Sequence, residues 1–363
     1  MSATYGKNFK ITIFGESHGP AIGITLDGLQ PGFSLDMDKI SIEMQRRAPG
    51  KNKVSTQRKE PDMPEILSGY FENKTTGAPL CAIIKNNDTR SKDYGDLQYS
   101  MRPGHSDYSA FVKYQASNDF RGGGHFSGRL TAPIVFAGAV AKQLLEQKNI
   151  YIGSHIKSIK DVSDQNFDPI NIEKSLLDNL HIMEIPAIRT DISQEYEKKI
   201  LEAKMQEESV GGVIECAAIG IMPGVGEPFF DSLESNIAHL MFSVPAVKAI
   251  EFGAGFDITQ MFGSQSNDTM YYDGHIVKTK TNNNGGITGG ITNGMPVIFR
   301  VAIKPTSSIS KTQDTINIKD KTNTKLDVIG RHDPCIVQRA IPVIEAMAAI
   351  AIYDMIREME RSI

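Results

Sequence analysis

Residues 121–145 read R-G-G-G-H-F-S-G-R-L-T-A-P-I-V-F-A-G-A-V-A-K-Q-L-L, and two kinds of chain meet there. Gly122–Gly124 carry no Cβ, so the backbone can take positive φ and come close to a ligand. The residues after Arg129 predict an apolar helix with Ser127 near its start. A helix start offers unpaired N–H groups at the positive end of a dipole, and with Arg121 and Arg129 beside it that suits an anion. Upstream, R-P-G-H-S-D-Y (102–108) places a turn at Pro103-Gly104 that can present His105 and Asp107 to the same place. Arginines and histidines packed this densely point to phosphate binding combined with proton transfer. An RGG-type RNA-binding segment would repeat its triplet, whereas this one occurs once and runs straight into the helix.

Working outward, Phe9–Phe14 alternates as a strand, Ala21–Leu26 is a second, and Ser17-His18 sit on the glycine-bounded turn between them. Asp36–Arg47 predicts an amphipathic helix with Arg46-Arg47 in its last turn, stopped at Pro49-Gly50. Lys51, Lys53, Arg58 and Lys59 follow, and so many cations in one loop repel one another unless an anion sits among them. Leu80–Ile84, Ile150–Ile159, Val213–Ile221, Val247–Phe252 and Val297–Ile303 read as strands, and Phe230–Phe242 as a helix. The charged stretch 160–210 is helical in period and reads as peripheral. Asn282–Gly294 is a second glycine-rich loop, and Lys304-Pro305-Thr306-Ser307-Ser308 is a cation followed by hydroxyls. Arg331–Cys335 opens a C-terminal helix with Pro334 in its first turn. Ala340–Ile352 is apolar on nearly every face and should lie buried between layers, with Pro342 kinking or dividing it. Strands in adjacent pairs with helices between the groups predict an α+β fold, antiparallel sheets packed on helices, in one large domain over residues 1–363.

Several classes fall away. With 39 basic and 43 acidic side chains the net charge is −4, so general nucleic-acid binding has no support. The three cysteines are far apart and no C-x-x-C or H-E-x-x-H occurs, which argues against a disulfide framework and a standard zinc site. Neither G-V-G-E-P-F nor G-A-G-F-D-I has the third glycine of a dinucleotide fold. The polar N-terminus and the lack of a long apolar run predict a cytoplasmic protein without membrane attachment.

Taken together, G-E-S-H-G (15–19), R-R-A-P-G (46–50), R-P-G-H-S-D-Y (102–108), R-G-G-G-x-x-S-G-R (121–129), G-G-I-T-G-G-I (285–291), K-P-T-S-S (304–308) and G-R-H-D-P-C (330–335) resemble the chorismate synthase family, in the family's order. The resemblance implies helices sandwiched between antiparallel sheets and a homotetramer. It also implies reduced FMN as cofactor, NADPH as a candidate flavin reductant, and 5-enolpyruvylshikimate 3-phosphate as substrate of a 1,4-anti elimination of phosphate. By resemblance, His18 acts as acid at the leaving phosphate, His105 sits by the flavin and Asp333 near its N5, with Ser17 and Ser127 assisting. Flavin contacts carry over to His125, Phe126, Ser127, Pro245, Ala246, Gly289, Lys304, Pro305, Thr306, Ser307, Ser308 and Arg331. Arg46, Arg47, Arg58, Arg102, Arg129 and Arg331 are the expected partners of the substrate's carboxylates and phosphate, Arg47 serving cofactor as well. The chain departs from many members at H-F-S-G-R-L-T (125–131) and at Lys53. A flavin-binding protein without lyase activity is the alternative, and it predicts FMN binding with no phosphate release.

Overall fold

The computed structural model describes residues 3–50, 62–86, 98–328 and 333–362. Five strands form a first antiparallel sheet: β1 (Thr4–Tyr5), β2 (Lys10–Gly15), β3 (Ala21–Asp27), β4 (Glu65–Ser68) and β5 (Leu80–Lys85), in the order β1-β2-β3-β5-β4. Its inner face follows from the period of two along a strand. Ile22, Ile24 and Leu26 of β3 lie opposite Ile84, Ala82 and Leu80 of β5, and all six are buried. A second antiparallel sheet holds β6 (Tyr151–Ile159), β7 (Val162–Ser163), β8 (Gly212–Ile219), β9 (Val247–Phe252) and β10 (Val297–Ile303), in the order β9-β10-β8-β6-β7. Ile214 and Cys216 face the core there beside Val301 and Phe299.

Between the sheets lie α1 (Met37–Arg47), α3 (Thr131–Glu146), α6 (Leu233–Ser243) and α7 (Val337–Ser362); α2 (Asp107–Lys113) sits near the start of α3. Two more helices, α4 (Lys174–Ile182) and α5 (Thr190–Met205), come from the charged stretch 160–210. α4 helps cover the outer face of the second sheet through Leu177 and Leu180, which join Ala217 and Ile298. Tyr196 and Ile200 of α5 enter the main core. That core runs unbroken from one sheet through the helices to the other. The sequence's strands and helices are found close to their expected bounds. The exceptions lie near the C-terminus: α7 begins at Val337, so Pro334 stands before it, and Pro342 sits inside a continuous helix. The α+β sandwich itself is as expected.

The two largely buried helices touch where Gly138 of α3 meets Ala346 of α7. A Cβ on Gly138 would stand 2.1 Å from the Ala346 Cβ and 2.4 Å from its Cα. At the far end of α7, Asp354 accepts backbone N–H groups of Lys7, Asn8 and Phe9 at 2.7–3.2 Å and pins the start of β2 to the helix.

A buried ion cluster ties α1, α3 and α7 together. Arg46 Nη1 donates to Glu43 at 2.9 Å and to Glu345 at 2.6 Å, and Lys142 Nζ donates to both acids at 2.6 Å. Two cations and two carboxylates balance there. Burial alone would raise the Glu345 carboxyl, but Arg46 and Lys142 bring it from the ordinary 4.5 down to about 2. A second network lies in the β6–β8–β10 sheet. His155 contacts Glu215 at 2.9 Å and Asp164 at 3.4 Å, and Arg300 joins Glu215 at 3.2 Å.

Two outcomes follow from this packing. Gly138→Ala should destabilise the fold by about 1–3 kcal/mol through overpacking, although the same change on an exposed helix face gains roughly 1 kcal/mol; chemical denaturation measures the difference. For Glu345, the folded-state pKa lies below the ordinary value. Its stabilisation is therefore whole above pH 4.5 and lost as pH falls toward 2. Glu345→Gln should cost about 3–5 kcal/mol at pH 7, because it strands buried cations, and should flatten the acid limb of Tm against pH. An unchanged acid limb would mean that the cluster does not govern acid unfolding.

Candidate active site

The three-glycine loop folds as the sequence suggests. Gly122, Gly123 and Gly124 have φ of 59°, 91° and 53°, all in the left-handed region open to glycine. Space is as strict as conformation. A Cβ on Gly122 would lie 2.1 Å from His18 Cε1, and one on Gly123 would lie 3.2 Å from His105 Nε2. The loop is thus a thin partition with one histidine against each of two successive residues.

His18 is held from the β2–β3 turn. Ser17 N donates to the Gly124 carbonyl at 3.2 Å. The Ser17 hydroxyl donates to the Arg121 carbonyl at 3.3 Å and stands 3.1 Å from His18 Nδ1. A hydroxyl that has given its proton to a carbonyl accepts at its lone pair, so it orients the His18 ring through Nδ1–H. Both residues are buried.

His105 is held from the other side. Its Nδ1 lies 2.6 Å from Asp107 Oδ1, and Arg102 grips the same carboxylate through Nε at 2.7 Å and Nη2 at 2.8 Å. Burial would raise the Asp107 carboxyl, but Arg102 and His105 hold it well below the usual carboxylate range. The fixed anion makes Nδ1 a donor and turns Nε2 toward the glycine loop.

Ser127 closes the loop by accepting from Arg129 N at 3.3 Å at the entry to α3. Next to it lies a compact set of charges. Arg47, the last residue of α1, donates to Asp62 Oδ2 at 2.6 Å, to the Gly128 carbonyl at 2.9 Å and to Thr131 Oγ1 at 3.2 Å. Arg129 pairs with the other oxygen of Asp62 and donates to Asn86 Oδ1 at 3.1 Å. Arg339, in the first turn of α7, donates to the Arg47 carbonyl at 3.2 Å and pairs with Asp333. Burial lowers the Arg47 guanidinium to about 10; Asp62 opposes the drop, and Arg339 and Arg129 add to it. Among the described residues, Arg47, Arg129 and Arg339 thus meet the carboxylates of Asp62 and Asp333 at two helix N-termini, whose positive dipole ends favour an anion.

The K-P-T-S-S loop meets this cluster at the Gly104 carbonyl, which accepts from Lys304 Nζ and, at 2.8 Å, from Ser307 Oγ. Lys304 N donates to the Ala246 carbonyl at 2.9 Å, and Ala246 takes a φ of 76°. Pro245, Ala246 and residues 304–308 therefore lie along the rim that starts at His105. His125 donates through Nδ1 to the Gly15 carbonyl at 2.9 Å, and the Phe126 ring is 37% exposed beside Tyr114.

Ser17, His18, Arg47, Arg102, His105, Ser127, Arg129 and Asp333 are thus brought to one end of the sandwich. One expectation is corrected. Arg46 does not face this end but is spent on Glu43 and Glu345 between the helices. Gly289 lies on a hairpin whose Gly290 carbonyl accepts from Leu233 N, at the start of α6, whereas Pro245 follows the end of that helix. The eleven residues of α6 lie between those two contacts. Arg58, Arg331 and the cations Lys51, Lys53 and Lys59 lie outside the described residues. Asp62, Asn86, Thr131 and Arg339 were not anticipated, because their partners are remote in sequence and no motif marks them.

Comparison with known proteins agrees with this arrangement. The family model described as chorismate synthase matches residues 9–356. Among curated proteins, chorismate synthase of Methanocaldococcus jannaschii is 45% identical over 97% of this chain and 95% of its own length. That of Dehalococcoides mccartyi is 42% identical over 98% and 96%. A solved structure titled "Crystal Structure of Chorismate Synthase" superposes with a TM-score of 0.76 at 29% identity, covering 98% of this chain and 93% of that one. With its sandwich fold and matching motifs, the chain belongs to the chorismate synthase family, lyases that convert 5-enolpyruvylshikimate 3-phosphate to chorismate with loss of phosphate.

Proposed function

We propose that phosphate leaves the substrate at the glycine-loop end of the sandwich, with reduced FMN held along the rim formed by residues 125–127, 245–246 and 304–308. The observation that carries this reading is the pair of histidines on the two sides of one glycine loop, each oriented through Nδ1 by a neighbour in the same site. The donor set fits a flavin nucleotide. Lys304 with the hydroxyls of Thr306, Ser307 and Ser308 suits a phosphate, and the exposed His125–Phe126 edge suits a flat ring. When bound, reduced flavin supplies electron density to an elimination that has no net redox change.

The chain's own groups would divide the rest. Arg47, Arg129 and Arg102 bind and orient the substrate's anionic groups, with Asp62 and Asp107 holding the guanidiniums in place. His18, as imidazolium, donates from Nε2 to an oxygen of the departing phosphate. His105, with Nδ1 on Asp107, presents Nε2–H at the flavin rim and stabilises negative charge there. Asp333, held by Arg339, offers the carboxylate that receives or passes on the ring proton. NADPH is the candidate reductant of the flavin.

A homotetramer is part of the same proposal. Phe229, Phe230, Phe256, Phe262 and Tyr272 are all more than three-quarters exposed, which supports self-association. No helix among the described residues is long and apolar enough to cross a membrane, and a cytoplasmic location fits that.

The deciding experiment is anaerobic phosphate release with chemically reduced FMN. Turnover should proceed with catalytic flavin and no net flavin oxidation; flavin binding without phosphate release would leave only the flavin carrier. His105→Ala and Asp333→Asn should each lower kcat by about 10-fold to 10⁴-fold with little change in KM. The double variant should lose less than the product of the two, since both serve one proton transfer. A variant with normal kcat and normal flavin binding would strip that residue of its role.

A further inference from the structure

We propose that Asp62 is a positioning residue for the reaction, setting the separation and aim of Arg47 and Arg129 so that the two guanidiniums receive an anionic group of the substrate as one unit. The inference rests on the reading above, in which both arginines bind substrate. Asp62 is buried, with a side chain at 0% exposure, and it spends one oxygen on each arginine. The arginines come from different elements, the end of α1 and the turn before α3, and no backbone pairing fixes their tips relative to each other. Each is also held once or more by fixed acceptors: Arg47 by Gly128 and Thr131, Arg129 by Asn86. Among the described residues, Asp62 is the group bonded to both. Without it, two buried like charges face each other and separate. With it, the two guanidiniums share one carboxylate and are held side by side. Its carboxyl is kept below the ordinary value by Arg47 and Arg129 against the cost of burial, so it is an anion throughout the working range.

The opposite role is a competitor. An acid that merely fills the anion pocket would weaken substrate binding, and its removal would tighten it. The two roles predict opposite signs.

The test is steady-state kinetics of phosphate release under anaerobic conditions with reduced FMN, with inorganic phosphate as a competitive probe, on Asp62→Asn and Asp62→Glu. Positioning predicts a KM raised about 10-fold or more and phosphate inhibition weakened by a similar factor, with kcat within about threefold. Asp62→Glu keeps the charge, and so the fold, while moving the carboxylate by one methylene; its Tm should stay near that of the parent. If Asp62→Asn does not fold, Asp62→Glu decides alone. Parent-like KM and phosphate inhibition in folded Asp62→Glu, or a lowered KM in Asp62→Asn, overturns the proposal. Arg47→Lys and Arg129→Lys separate it from the reading beneath it. If these raise KM and Asp62→Glu does not, only the role of Asp62 falls. If they leave KM unchanged, the substrate-binding reading falls and takes the role of Asp62 with it.

Discussion

The contact between Gly138 and Ala346 sets the terms for the rest of the molecule. α3 and α7 are apolar on nearly every face, so both must be buried, and the absent side chain at Gly138 lets their backbones come unusually close. They run the same way. Thr131 and Arg339, near their two starts, both contact Arg47, and Lys148 and Glu360, near their two ends, pair with each other. Parallel neighbours place two positive dipole ends side by side, which is unfavourable unless something negative meets them. α1 runs against α3, with Asp36 at its start bonded to Gln143 and its end at Thr131. Its C-terminus therefore brings partial negative charge to the two N-termini, but it carries Arg47 with it, so a cation stands at that end of the sandwich.

That arrangement explains why the glycine run stands where it does. The chain must reach the start of α3 from α2 while the β2–β3 turn and the 102–107 loop crowd the same space. Any Cβ at Gly122 would occupy the His18 ring, and any at Gly124 would meet the Asp119 carbonyl at 2.2 Å. Packing of the helix pair fixes the destination, and glycine is the residue that can make the approach.

Much of this was legible in the sequence. Strands and helices could be placed because their apolar residues repeat at two or at about 3.6 residues, and the motif positions could be placed because turns bound them. Partner choice was not legible. Arg46 and Arg47 are adjacent in one helical turn, about 100° apart around the axis, and nothing local says which faces the site. Glu345, 299 positions away, claims Arg46 and leaves Arg47 to Asp62. Pro342 can kink or divide a helix, because an interior proline loses one hydrogen bond and crowds the preceding turn. It does not divide this one, which is buried around it between α3 and the second sheet.

The same accounting separates charge that stabilises from charge that works. In the Glu43–Arg46–Lys142–Glu345 cluster every cation has a carboxylate, and the set is closed. In the second sheet His155 is set between Asp164 and Glu215, and Arg300 between Glu215 and Glu251. Burial pushes the His155 imidazole down, but its two acids raise it overall, so it too is a charge answered in place. Around Arg47 the charges are arranged differently: among the described residues Arg47 and Arg129 share the single carboxylate of Asp62, while Arg339 holds Asp333. Two helix N-termini and two oriented histidines converge at that same end, and the positive ends of the dipoles suit it to an anion.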